Sequence, residues 1–198
     1  MKIYDITKEL LACKPYPGDR LTVLTSVKST GRDGYNLSEL SASVHNGTHI
    51  DAPLHFIPGG ADTASLDLSA CVGRCIVVNV SEPIDAARAG VITDKGEKRI
   101  LIKGGGLLTP QAAEILCDGG VVFVGVETES PAVAGDMAEV HTILLRHGAA
   151  IAENLDLLNV DAGCYFLFAA PLKISGAEGA PCRAVLVEFC GNDSGPEN

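Results

Sequence analysis

Basic residues are scarce in this chain. Fifteen Lys and Arg stand against 25 Asp and Glu, a formal charge of −10 over 198 residues. A field of that sign repels phosphate backbones and anionic headgroups, which argues against nucleic acid as the main partner and against a membrane surface. Long apolar runs are missing too. No stretch nears the roughly 20 apolar residues that a membrane span needs. The opening Met1-Lys2-Ile3-Tyr4-Asp5-Ile6 places a charge where a secretory leader needs its apolar segment, so a cytoplasmic protein is expected. There is no Cys-x-x-Cys pair: Cys71 and Cys75 lie four apart, and the total of seven cysteines is odd. Reduced thiols in a cytosol fit that pattern better than a disulfide framework or a zinc ribbon. The chain also lacks a Gly-x-Ser-x-Gly elbow, which leaves a serine nucleophile without its usual seat. Asn-x-Ser/Thr sequons at Asn36, Asn46, Asn79 and Asn192 carry no message without a secretory leader.

Apolar residues make up 46% and charged residues 20%, enough apolar material for a core and too much for a disordered chain. No internal repeat is visible. The expectation is one domain over residues 1–190, with a frayed polar tail over 191–198. Lys2–Ile6 reads as an opening strand, and Lys14–Asp19 as a turn holding Tyr16 between two prolines. Leu21–Lys28 and Asn36–Val44 alternate apolar and polar residues, the pattern of half-buried strands. Cys75–Val80 and Val121–Val126 are short continuous apolar runs, the pattern of strands covered on both faces. Thr109 caps a helix opened by Pro110 and running through Cys117, with Gly119 at its stop. Ala138–His147 reads as a second short helix. Ala149–Ala152 and Arg183–Phe189 read as late strands. The result is a mixed α/β fold.

The informative stretch is Val44–Phe56. Three of the chain's five histidines fall within its eleven positions from 45 to 55. His45, His49, Asp51 and His55 all occupy odd positions, so an extended chain points them to one side and Ile50, Ala52, Leu54 and Phe56 to the other. Gly47, Thr48, Asp51 and Pro53 disfavour a helix here. A straight strand would spread these groups over about 33 Å. Metal–ligand distances near ~2 Å demand convergence, so a metal site requires bends, and Gly47 and Pro53 are the natural places. Imidazoles and a carboxylate suit zinc or manganese, the two oxygens of Asp51 allow it to bridge two ions, and a histidine left outside the ligand set can move protons. A solvated polar strand face is the plainer reading of the same residues, but the shared parity and the intervening turn residues favour the metal site.

Further ligands must come from elsewhere. From His141 to His147 a helix climbs about 9 Å. Gly148 turns the chain, and five extended residues return about 16 Å, so Glu153 can come back near the helix start. His141 and Glu153 could equally be surface polar groups on this reading. His147, next to Gly148, reads as a helix C-terminal cation.

His45-Asn46-Gly47-Thr48-His49-Ile50-Asp51-Ala52-Pro53-Leu54-His55 resembles the His-x-Gly-Thr-His-x-Asp-x-Pro-x-His signature of the cyclase superfamily, which includes bacterial kynurenine formamidases (arylformamidases) and isatin hydrolases. The resemblance runs from about Tyr4 to Glu188. It takes in Tyr4-Asp5-Ile6, Pro17-Gly18-Asp19, Pro171-Leu172-Lys173 and Arg183-Ala184-Val185-Leu186. It implies a swivelling β/β/α domain with a mixed, partly barrel-like sheet and few helices, assembled as a homo-oligomer, dimer or tetramer. It also implies that His45, His49 and Asp51 hold one metal, that Asp51, His141 and Glu153 hold a second, and that His55 is the acid–base histidine. Zinc is usual in the formamidases and manganese in the isatin hydrolases. The chain departs from the formamidase pattern at Tyr16, where a tryptophan is usual against the substrate, at the short Lys103–Leu108 loop, and at Glu127–Pro131. The expected activity is therefore metal-dependent hydrolysis of a carbon–nitrogen amide bond in a small molecule. Related lactam, lactone or ester hydrolysis is the alternative, and a non-catalytic metal-containing binding protein is the alternative of another class.

Overall fold

The computed structural model describes residues 1–189. Its strands are β1 (Lys2–Asp5), β2 (Val23–Lys28), β3 (Leu37–Ser41), β4 (His49–Asp51), β5 (Val72–Asn79), β6 (Arg99–Lys103), β7 (Phe123–Val126), β8 (Ala150–Glu153), β9 (Gly163–Phe168), β10 (Gly179–Pro181) and β11 (Val185–Glu188). The helices are α1 (Thr30–Asp33), α2 (Leu68–Cys71), α3 (Ala86–Thr93), α4 (Pro110–Asp118) and α5 (Met137–Arg146), with a 3-10 turn over Pro53–His55. None is long and apolar enough to cross a membrane.

Nine strands form one mixed sheet in the order β1-β11-β9-β5-β6-β7-β8-β4-β10. Its centre, β5-β6-β7-β8, is parallel, and α3, α4 and α5 are the connections between those strands. Both faces of this centre are apolar. Ile76, Val78, Ile100, Ile102, Val124 and Ile151 meet Ile92, Leu116, Val140 and Leu144 of the helical layer. Val77, Leu101, Phe123 and Ala152 face the other way and meet Leu167, Leu186, Ile50 and Ile6. This second core is the inside of a curl. A Thr7–Leu155 bridge draws the segment after β1 toward the segment after β8, closing the sheet partway into a barrel. Space inside the curl is short: a Cβ on Gly125 would lie 2.7 Å from Leu155 Cδ1 and 3.1 Å from Phe123 Cε1.

The expected opening strand, the strands around residues 75–80 and 121–126, and the capped helix from Pro110 are all present. Thr109 accepts the backbone N–H of Ala112, and Gly119 ends the helix. The early alternating segments do form strands, but they are not half-buried. β2 and β3 make a separate two-stranded sheet that stands in solvent, with Leu24 opposite Leu40. Alternation reveals that a face is apolar, not what covers it, and nothing among the described residues covers this one. β6, α3, β9 and β10 carry no expectation in the sequence reading. β10 contains Pro181, which usually argues against a strand; it is tolerated because β10 lies at the sheet edge. The expected tail over residues 191–198 lies outside the described residues.

Candidate metal centre

The bends expected at Gly47 and Pro53 exist. Gly47 has φ 66°, a conformation that glycine adopts without strain, and the chain then enters β4. Within β4 the strand alternation sends Ile50 into the barrel core while His49 and Asp51 face the site; all three are buried. Pro53 opens the 3-10 turn that carries His55 back alongside. β8 pairs antiparallel with β4 so that Glu153 lies directly opposite His49. α5 packs over this pair and supplies His141, which is 2% exposed. The loop from α5 through Gly148 returns the chain so that His141 Nε2 lies 3.1 Å from Glu153 Oε1.

Two ligand-competent triads result, His45–His49–Asp51 and Asp51–His141–Glu153, and they share Asp51. His45 Nδ1 is 3.0 Å and His49 Nε2 3.3 Å from Asp51 Oδ1, while His141 Nε2 is 3.6 Å from Asp51 Oδ2. His49 Nε2 is also 3.4 Å from Glu153 Oε2. The protons of two rings are already assigned. His49 Nδ1 lies 2.8 Å from the Gly47 carbonyl, and His141 Nδ1 lies 2.7 Å from the Met137 carbonyl. A carbonyl only accepts, so each Nδ1 carries N–H and each neutral ring turns the lone pair of Nε2 toward carboxylate oxygens. Lone pair facing lone pair in a buried place is unfavourable unless a cation stands between. Consistent with this, His49 Nε2 and Asp51 Oδ2 are buried without a hydrogen-bond partner among the described residues. By donor chemistry and by these orphaned atoms, the residues fit a divalent metal.

The electrostatics without a metal point the same way. Burial pulls the His49 pKa down, but Asp51 and Glu153 overcome it and push it up to about 10. Burial likewise opposes, and the carboxylates of Glu153 and Asp51 outweigh it, raising His141. Burial pushes the Asp51 carboxyl up, and the facing His45 and His49 hold it far below the usual carboxylate range. In each case an added positive charge stabilises the pocket, the role a bound cation fills.

The triads open on a cavity of about 270 Å³. His55 lines it and belongs to neither triad. Its ring stacks on His45 at 4.1 Å and 30°. Burial lowers its pKa, against the pull of Asp51. Tyr16 stands at the same cavity, as do Lys14, Glu129 and Asn154. His147 caps the C-terminus of α5, exposed and outside the cavity lining.

Three cavity residues carry no site assignment in the sequence. Strand parity assigns Phe56 to the face of Ile50, away from the ligands. The 3-10 turn breaks that alternation, and Phe56 instead stacks on His141 at 4.7 Å and 28°. Met137, at the first position of α5, has no local signal. Asn154 is a third, marked only by its φ of 57°, which asparagine tolerates better than most residues. Thr48 Oγ1 donates to the Asn154 carbonyl at 2.6 Å and so anchors the residue after Glu153.

A nine-stranded curled sheet with two carboxylate–histidine triads at the β4–β8–α5 junction defines a metal-site α/β fold, and comparison with known proteins gives it a family. The family model described as "Putative cyclase" matches residues 4–101. The kynurenine formamidase of Salinibacter ruber is 34% identical over 207 residues, covering 94% of this chain and 97% of that protein. The chain belongs to the cyclase family. A solved structure described as a "potential metal-dependent hydrolase with cyclase activity" superposes with a TM-score of 0.77 at 28% identity, covering 93% of this chain and 96% of the other. An isatin hydrolase bound to the product analogue thioisatinate shares the fold at a TM-score of 0.80 and 21% identity, over 95% of this chain and 93% of that one.

Proposed function

We propose that the protein is a metal-dependent hydrolase that cleaves the carbon–nitrogen bond of a small amide, with a formamide on an aromatic amine as the substrate class. The observation that carries this reading is the pair of triads joined through Asp51 beneath a cavity whose wall holds a separate imidazole, His55. His45, His49 and Asp51 would hold one divalent ion, and Asp51, His141 and Glu153 a second. A divalent ion bound there acidifies water and polarises a carbonyl oxygen. Phe56, Met137 and Tyr16 offer apolar contact to an aromatic ring and keep bulk water from it. A ring nitrogen of His55 takes the proton released as water adds to the carbonyl, then delivers it to the nitrogen as the carbon–nitrogen bond breaks. Backbone carbonyls of Gly47 and Met137 fix the ring orientations of His49 and His141 throughout.

The finer assignments belong to the same reading. Zinc is the proposed ion, with manganese as the alternative, because imidazole and carboxylate donors suit both. A homodimer is the proposed assembly: the β2–β3 sheet exposes apolar side chains, and a lone two-stranded sheet is marginal in water. The cytoplasm is the proposed compartment, supported by six free cysteines among the described residues. Residues 1–190 are taken as one domain, because a single sheet includes both β1 and β11.

The test is turnover of N-formylkynurenine by purified protein before and after exhaustive chelation, with zinc and manganese added back, and with isatin as the comparison substrate. Turnover lost on chelation and restored by one of the ions is expected. Full activity in the chelated protein overturns the reading.

A further inference from the structure

His45 differs from the other two histidine ligands in how it is held. His49 and His141 have their Nδ1 protons fixed by backbone carbonyls, and both offer Nε2. Among the described residues, the His45 ring has no such backbone contact. Its Nδ1 faces Asp51 Oδ1 at 3.0 Å, and its Nε2, buried and unpartnered among the described residues, faces Glu178 Oε1 at 3.6 Å. Its side chain is 18% exposed, against 1% for His49 and 2% for His141.

The floor beneath this ring is Gly179, the first residue of β10, which pairs with Asp51 across the β4–β10 ladder. A Cβ at Gly179 would stand 2.6 Å from His45 Cε1, 3.0 Å from Nδ1 and 3.2 Å from Nε2. Gly179 is not among the residues with positive φ, so glycine here provides space and not a special backbone angle. Its neighbour is fixed as well: the Glu178 carbonyl accepts the Ala52 N–H at 2.8 Å, which ties this step to the end of β4.

We propose that Glu178 and Gly179 are positioning residues that seat His45 as an Nδ1 ligand, Gly179 by letting the ring lie against the backbone and Glu178 by accepting the Nε2 proton. A neutral imidazole carries one proton. The nitrogen that faces the shared Asp51 must keep its lone pair for a cation, so the proton goes to the nitrogen that faces Glu178. This is the carboxylate–histidine–metal arrangement, built here from a residue that belongs to neither triad. The two triads share Asp51 and its pairing with β10, but the Glu178 and Gly179 contacts reach His45, a ligand of the His45–His49–Asp51 site alone. The proposal rests on the metal-site reading above, and its test separates the two.

The experiment uses zinc as the probe, with full-length protein and no activity assay. Zinc affinity is measured by competition with a chromophoric chelator, and the His45 tautomer by long-range ¹H–¹⁵N correlation spectra of the zinc-loaded protein. The expected wild-type result is a ligated Nδ1 and a protonated Nε2 at His45. Glu178→Ala weakens by about 10- to 100-fold the same zinc that His45→Ala loses, leaving the other unchanged. Glu178→Gln, whose amide oxygen can still accept the proton, recovers part of that loss. Gly179→Ala displaces the ring and reproduces the His45→Ala loss. If the wild type binds two zinc ions and both Glu178 variants match it, or if His45 is ligated through Nε2, the proposal is overturned while the metal-site reading stands. A wild type that binds no zinc overturns both. Glu178 is part-exposed, so its variants fold and remain decisive even if Gly179→Ala does not.

Discussion

Replacing His55 with alanine separates acid–base chemistry from metal binding. The ring lies outside both ligand triads, on a 3-10 turn, stacked on His45 at 4.1 Å and in edge contact with Phe56 at 4.5 Å. Its removal takes no donor from either triad and leaves the carbonyl contacts of His49 and His141 in place. What is lost is the group proposed to receive and return a proton. General acid–base catalysis by a placed side chain is worth about 10²- to 10⁴-fold, and at 1.36 kcal/mol per tenfold that is about 3–5 kcal/mol of transition-state stabilisation. The expected outcome is kcat reduced by that factor in His55→Ala, with KM for N-formylkynurenine and zinc content both near wild type. The assay pairs steady-state kinetics with elemental analysis of the same sample. A variant that turns over within a few-fold of wild type, with its metal intact, refutes the role given to His55. A variant that loses its zinc refutes the claim that the ring stands outside the ligand set.

Other consequences are more local. Gly125→Val places a branched side chain where even a Cβ would lie 2.7 Å from Leu155 and 3.3 Å from Leu101. Overpacking of this kind costs about 1–3 kcal/mol or more, so urea unfolding midpoints should fall; an unchanged midpoint would show that the curl can widen freely. The Arg183 guanidinium beside Asp5 holds that carboxyl below its ordinary value, helped by Thr7 and against a burial that pushes it up. A depressed carboxyl contributes stability that is present above its unfolded value of 3.8 and is lost as pH falls through the lower folded value. Arg183→Ala should therefore lower the melting temperature slightly at pH 6, with the difference from wild type vanishing well below pH 3.8; a difference that grew in acid would contradict the pairing.

The centre was legible where its chemistry is local. Residues 45–55 carry four polar groups of one parity with turn-forming Gly47 and Pro53 between them, and those turns are where the chain bends. For His141 and Glu153 the rise of a helix and a strand allows a meeting but leaves both equally readable as surface groups; the resemblance to the cyclase signature is what assigns them, and the structure places them 3.1 Å apart. Strand parity misplaces Phe56 because the parity stops at Pro53, and a sequence pattern does not mark its own end. Gly179 and Glu178 were invisible for another reason. Their relation to His45 exists only once β10 joins the edge of the sheet beside β4, a pairing that no nearby residue encodes. The hairpin of β2 and β3 shows a third kind of silence. Its alternating pattern is real, but alternation does not say what covers the face, and among the described residues Leu24 and Leu40 stay exposed.

Whether Asp51 joins two metal sites decides the proposed function. Zinc stoichiometry by equilibrium dialysis and elemental analysis, on wild type, His45→Ala, His141→Ala and Asp51→Ala, tests it directly. Two ions per chain are expected in wild type, one in each histidine variant, and loss of tight binding at both sites when the aspartate is removed. Two tightly held ions in Asp51→Ala, or none in the wild type, would contradict it.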